Sequence, residues 1–129
     1  MKINRFEDLE IWQKSVSLAK EIYVLTTSSK FSKDFGLKEQ LQRSIVSISA
    51  NIAEGFDRNN NNEFLYFLKV AKSSASESRS HLYISKEIGH IKIEDYESLN
   101  NKLIEISKQI GKLIEYLKKK KLSPNNTTI

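Results

Sequence analysis

Between Phe35 and Arg58 the chain reads FGLKEQLQRSIVSISANIAEGFDR, and two stripes run through it at helical spacing. With about 100° between successive residues, Leu37, Leu41, Ile45, Ile48, Ile52 and Phe56 share one face of a helix. Gln40, Arg43, Ser47, Asn51, Glu54 and Arg58 line the opposite face. The apolar stripe is a seam that other elements must cover. The polar stripe has two readings. On a solvated face its charges contribute little and no order is demanded of them. At a contact between subunits, Arg43 needs an acidic partner and Asn51 a full set of hydrogen bonds, which would fix the register of that contact.

The rest of the chain supplies the cover. Four glycines and one proline, Pro124, are few turn-formers for a strand-rich fold of 129 residues. A first helix is expected over 7–27, with Glu7, Asp8 and Glu10 at the positive end of its dipole. Leu9, Trp12, Val16, Ala19 and Tyr23 give it one apolar line, and Ile11, Leu18, Ile22 and Leu25 give a second beside it. So broad an arc belongs either deep in its own bundle or between the bundle and a neighbouring subunit. The polar link SSKFSKD follows, with Phe31 expected to fold back onto the core.

The second helix is the striped stretch, over 35–57, and Gly55 near its end points to close approach or left-handed backbone. An asparagine of the run Asn59 to Asn62 caps a third helix over 62–88. Phe64, Phe67, Leu68, Ala71, Ala75, Leu82 and Ser85 mark its inward face, and the small residues of its middle permit a near neighbour. Gly89 stops it. A fourth helix over 94–121 alternates spacings of three and four through Tyr96, Leu99, Leu103, Ile106, Ile110, Leu113 and Leu117, the pattern of left-handed bundle packing. Short connections make neighbours antiparallel, so the expected architecture is an all-α, up-down-up-down four-helix bundle over 1–122, with a flexible tail over 123–129.

Several chemistries lack their residues. Without cysteine there is no disulfide framework, thiolate nucleophile or cysteine metal site. Acidic residues near the start, and no uncharged apolar run of about 18 residues, argue against secretion and membrane spanning and for a cytoplasmic protein. A di-iron site in a bundle needs two Glu-x-x-His pairs. Glu87 and His90 form one, but Ser78 stands three before His81, the other histidine. Glu77 and His81, four apart, have no activated serine or cysteine partner at a telling spacing. The glycines are scattered singly, so no phosphate-cradling loop is present. No enzymatic activity and no cofactor are expected.

The net charge of +5 has a local origin. Removing the consecutive Lys118, Lys119, Lys120 and Lys121 leaves the chain close to neutral. Those lysines offset the negative end of a helix dipole, or they meet an anionic partner such as RNA or DNA.

The segment Gly36 to Arg58, with Arg43 upstream of Asn51-Ile52-Ala53-Glu54-Gly55 and Arg58 after it, resembles the signature of the four-helix bundle proteins encoded in intervening sequences of bacterial 23S ribosomal RNA genes. The likeness extends to Phe6, Asp8, Leu9 and Trp12-Gln13-Lys14, to Phe64-Leu65, Phe67-Leu68 and Ala71, and to Tyr96 and Leu99. Ser49 stands where that family commonly has proline, and Ser32 near the place of another. The resemblance implies a bacterial cytosolic bundle that assembles as a ring-like pentamer, similar to the accessory protein of diversity-generating retroelements. It implies no catalytic residues. The expected function is a non-enzymatic, self-assembling interaction scaffold, with Arg43, Ser47, Asn51, Glu54 and Arg58 as a possible subunit contact. The alternative is an RNA- or DNA-binding accessory protein that uses the basic ends of its last helices, repeated around an oligomer.

Overall fold

A computed structural model describes residues 2–28 and 30–120. Four helices carry it, α1 (Glu10–Thr26), α2 (Phe35–Asp57), α3 (Asn61–Glu87) and α4 (Ile93–Lys120). Each packs on the next, and α4 closes back onto α1 to complete the up-down-up-down bundle. The α2–α3 contact is the most extensive and the α1–α4 contact the sparsest of the four. Lys121 and the expected tail over 123–129 lie outside the described residues.

The first helix begins later than its acidic start suggests. Phe6–Asp8 form a single 3-10 turn and Leu9 is extended before α1 starts at Glu10. Gln13 Nε2 donates to the Glu7 carbonyl at 2.8 Å, and Phe6 meets Trp12 edge to face, so the turn is folded back onto the helix. Of the two apolar lines on α1, the one through Ile11, Leu18 and Ile22 faces inward, together with Ser15 and Thr26. Trp12, Val16 and Ala19 are half-buried beside it, and Tyr23 is exposed.

The apolar stripes of α2 and α4 face the core as their spacing requires. Leu41, Ile45, Ile48 and Ile52 are fully buried on α2, and Leu103, Ile110 and Leu117 on α4. Phe31 is fully buried under the α1–α2 connection. The ends of the helices follow their capping residues. Asp34 accepts from the Leu37 N–H at 3.2 Å to open α2, and Asn60 accepts from the Glu63 N–H at 3.0 Å to open α3. Asn59, at φ 54, and Gly89, at φ 84, supply the left-handed turns after α2 and α3.

Close approach of α2 and α3 comes from small side chains. Ala71, Ser74, Ala75 and Ser78 are buried on α3, and Gly55 sits opposite Phe64 and Phe67. A Cβ built at Gly55 would lie 2.6 Å from the Cβ of Phe67, so the space there is already occupied.

Candidate functional site

The tight α2–α3 contact divides the polar stripe of α2 into parts with different surroundings. Ser44 and Ser78 are buried within it, and Ser78 Oγ donates to Ser44 Oγ at 2.8 Å while Ser44 Oγ donates to the Leu41 carbonyl. One turn along, Ser74 Oγ donates to Ser47 Oγ at 2.9 Å, and Asn51 Nδ2 donates to both the hydroxyl and the carbonyl of Ser47. Ser78 Oγ also lies 2.9 Å from the Ser74 carbonyl, so its one proton is shared between that carbonyl and Ser44 Oγ. Ser47 therefore meets a neighbouring helix of the same chain, while Asn51 bonds back to Ser47 on its own helix. The Ser74–Ser47 and Ser78–Ser44 hydrogen bonds set the register of α2 on α3.

The charged members of the stripe stay in solvent. Arg43 is 3.6 Å from Glu39 on its own helix, at 80% side-chain exposure, and is not brought to Glu54. Its pairing with Glu39 contributes little in water. Glu54 bonds Arg58 at 2.8 Å, Glu63 lies 3.5 Å from the same guanidinium, and the guanidinium stands 5.0 Å from the Phe67 ring centroid. The hydrogen bond that its guanidinium donates to Glu54 raises the Arg58 pKa above the ordinary guanidinium value, so this cation stays charged. This cluster clamps the turn from α2 to α3 on its outer side.

The histidines have different surroundings from those that motif spacing suggests. Glu87 pairs with Lys86, and His90 reaches across the end of the bundle to Asp34, Nε2 to Oδ2 at 2.9 Å. An ionised carboxylate only accepts, so the imidazole Nε2–H is the donor. His90 also packs against Phe31, with centroids 5.3 Å apart. Glu77 and His81 share a face of α3 at 3.6 Å, too long for a hydrogen bond. Among the described residues no group of three or more histidine, aspartate or glutamate side chains could hold a metal ion.

Asp34 thus caps α2 and anchors the α3–α4 turn with one carboxylate. The His90 hydrogen bond, followed by the Leu37 N–H, lowers its pKa below the ordinary carboxylate value. A depressed folded pKa contributes stability that is present above the unfolded value and is lost as pH falls through the folded one, here below about pH 4. His90→Ala is expected to move the acid-unfolding midpoint to higher pH and to raise the Asp34 pKa seen by carbon-13 NMR. An unmoved Asp34 titration would show that the bond does not hold this charge. Only the fold brings these side chains together, since they stand 56 positions apart.

The lysine-tipped end of α4 is uneven in its partners. Lys118 pairs with Glu115 at 3.4 Å, Lys120 lies 5.7 Å from the Tyr116 ring centroid, and Lys119 is exposed. Upstream on the same helix, Lys108 and Lys112 are exposed on the outer face beside Gly111. On the opposite flank, along α1 and α4, two adjoining open clefts of about 570 and about 520 Å³ share Ser17 and Glu21 in their walls. Val24, 74% exposed, lines the first with Leu25 and Leu99. Lys102 bridges to Glu21 at 2.7 Å across the boundary between them.

Among the described residues no helix is long and apolar enough to cross a membrane. The sequence pattern of the 23S rRNA-intervening sequence protein family matches residues 7–112, which takes in the stripe of α2, the serine seam and the greater part of α4. Among solved structures, a protein of unknown function from the S23 ribosomal protein family of Bacteroides thetaiotaomicron VPI-5482 superposes with a TM-score of 0.75 at 31% identity, over 81% of this chain and 97% of its own. No curated protein matches the chain significantly. A match across all four helices, together with a likeness that spans nearly the whole of a solved relative, places the chain in the family of 23S rRNA-intervening sequence proteins.

Proposed function

We propose that this chain is a non-enzymatic helical bundle that assembles with copies of itself into a ring-like oligomer in the bacterial cytoplasm and serves there as an interaction scaffold. The observation that carries the reading is the α1–α4 flank. Its packing is the sparsest in the bundle, and Val24, Leu25 and Leu99 line a cleft where Val24 is left largely in water. A β-branched side chain beside an open apolar cleft is a surface that another chain covers at a gain. A contact between two different faces of neighbouring copies closes into a ring when its rotation divides a full turn. The resemblance to ring-forming bundles favours five subunits. Light scattering at micromolar concentration should then return about five times the 14.9 kDa chain mass, and Val24→Lys should lower that mass while leaving the helical circular dichroism unchanged. A monomeric parent protein would remove the reading.

A second reading is RNA or DNA binding through Lys118 to Lys121, multiplied around the oligomer. The exposed Lys119, with no acidic partner among the described residues, favours it. Repetition would raise the avidity of a weak patch without any new contact. Affinity should fall steeply with salt, and replacing the four lysines with glutamine should abolish it. Absence of binding at low salt would exclude this second reading.

A further inference from the structure

We propose that the outer face formed by α3 and the C-terminal half of α4 is a groove for single-stranded nucleic acid, in which Lys72, Lys108, Lys112 and Lys119 follow the phosphates and Tyr116 stacks on a base. The proposal deepens the nucleic-acid reading and rests on it, but it moves the binding surface from the tip of α4 to its side.

Charge and shape coincide on this face. Lys108, Lys112 and Lys119 recur at intervals of four and seven, so they point the same way from α4. The rise of about 1.5 Å per residue sets the first two about 6 Å apart and the third about 10 Å further on, a spacing on the scale of neighbouring phosphates along a strand. They line an open cleft of about 540 Å³ with Gly111, Glu115 and Tyr116. Lys72 joins them from α3, because a Cβ at Gly111 would lie 3.4 Å from the Lys72 Cε and no side chain of α4 separates the two helices there. Lys69, one turn before Lys72, adds to the same end of α3. None of these five ammonium groups has an acidic partner among the described residues, whereas the one carboxylate in the cleft, Glu115, is taken up by Lys118. Lys72, Lys108, Lys112 and Lys119, without acidic partners among the described residues, form a field that a polyanion neutralises with release of counterions.

Tyr116 decides what kind of polyanion fits. Its ring is 40% exposed within the cationic cleft, with the Lys120 ammonium 5.7 Å from its centroid. A flat exposed ring among lysines is a platform for an unstacked base, and bases are free to splay onto it only in a single strand. In a duplex the base faces are already stacked on one another and the ring would find no partner. An acidic protein would satisfy the lysines but would leave the ring unused.

The test is fluorescence anisotropy on the full chain with a labelled single-stranded oligonucleotide of about 15 nucleotides and with its duplex. The single strand should bind more tightly than the duplex. Lys72→Gln/Lys108→Gln/Lys112→Gln should reduce the slope of log affinity against log salt by about 2, since each phosphate that a lysine neutralises on a single strand adds about 0.7 to it. Tyr116→Ala should weaken binding about tenfold without changing that slope, while Tyr116→Phe should bind as the parent does. Lys72, Lys108, Lys112 and Tyr116 are exposed, so the helical circular dichroism of these variants should match that of the parent. If the groove variants bind as the parent does and Lys118→Gln/Lys120→Gln/Lys121→Gln alone abolishes binding, the tip reading stands and the groove falls. Tighter binding of the duplex also overturns the groove. No binding of any oligonucleotide at low salt removes both.

Discussion

Ile48→Ala is expected to lower the unfolding free energy by about 2–5 kcal/mol, the range for removing a large aliphatic side chain from a closed core. In a chain of 129 residues, each kcal/mol is worth about 3–5 °C in the thermal midpoint, so the loss will be plain in a melting curve. Two features put Ile48 at the upper end. It is fully buried, and it sits on the helix that packs against both α1 and α3. The neighbouring helices are held by the Ser44–Ser78 and Ser47–Ser74 hydrogen bonds, so α2 cannot slide in to fill the space. Chemical denaturation with an unchanged slope would give the value directly. A cost below about 1 kcal/mol would mean that the interior collapses around the gap, and the rigid α2–α3 seam would have to be given up.

Gly55→Ala is expected to destabilise by about 1–3 kcal/mol, against the ordinary preference of helices for alanine. The sign follows from what the new methyl meets. The Phe67 Cβ, 2.6 Å away, is fixed to the α3 backbone, so relief requires the two helices to part. The same substitution at Gly111 meets only the far end of a lysine, Lys72 Cε at 3.4 Å, which can swing aside. Gly111→Ala should therefore stabilise the protein by up to about 1 kcal/mol, through the lower conformational freedom of the unfolded chain. Equal effects at the two positions would show that α2 and α3 are not as close as the structure has them.

Periodicity within a segment is readable wherever a single stripe dominates. Leu41, Ile45, Ile48 and Ile52 on α2, and Leu99, Leu103, Ile106, Ile110 and Leu117 on α4, occupy the core that their spacing assigns them. On α1 two apolar lines compete, and their composition does not choose between them. Ile11, Leu18 and Ile22 face inward because Ser15 and Thr26 on the same line can also be buried, with hydrogen bonds to the Ile11 carbonyl and to the Tyr23 carbonyl and Gln42. The start of α1 departs from its expected place for a related reason. Acidic residues at Glu7 and Asp8 suit the first turn of any helix, a 3-10 turn included.

The polar stripe shows the limit more sharply. Its residues share one face of α2, yet Arg43 is exposed, Ser47 ends against Ser74, Asn51 bonds back to Ser47, and Arg58 ends over Phe67. The Asp34–His90 bond and the approach of Lys72 on α3 to the lysines of α4 have no signature in local spacing at all.

By itself the sequence determined that four helices form, where most of them stop and which side of α2 and α4 avoids water, because these depend on backbone geometry and neighbours within one or two turns. Only the tertiary structure decided how α1 is rotated, which helix receives the serines of α2, and that Lys72 of α3 joins the lysines of α4. Those outcomes depend on side chains far apart in the chain competing for the same space, and they are settled when the helices pack.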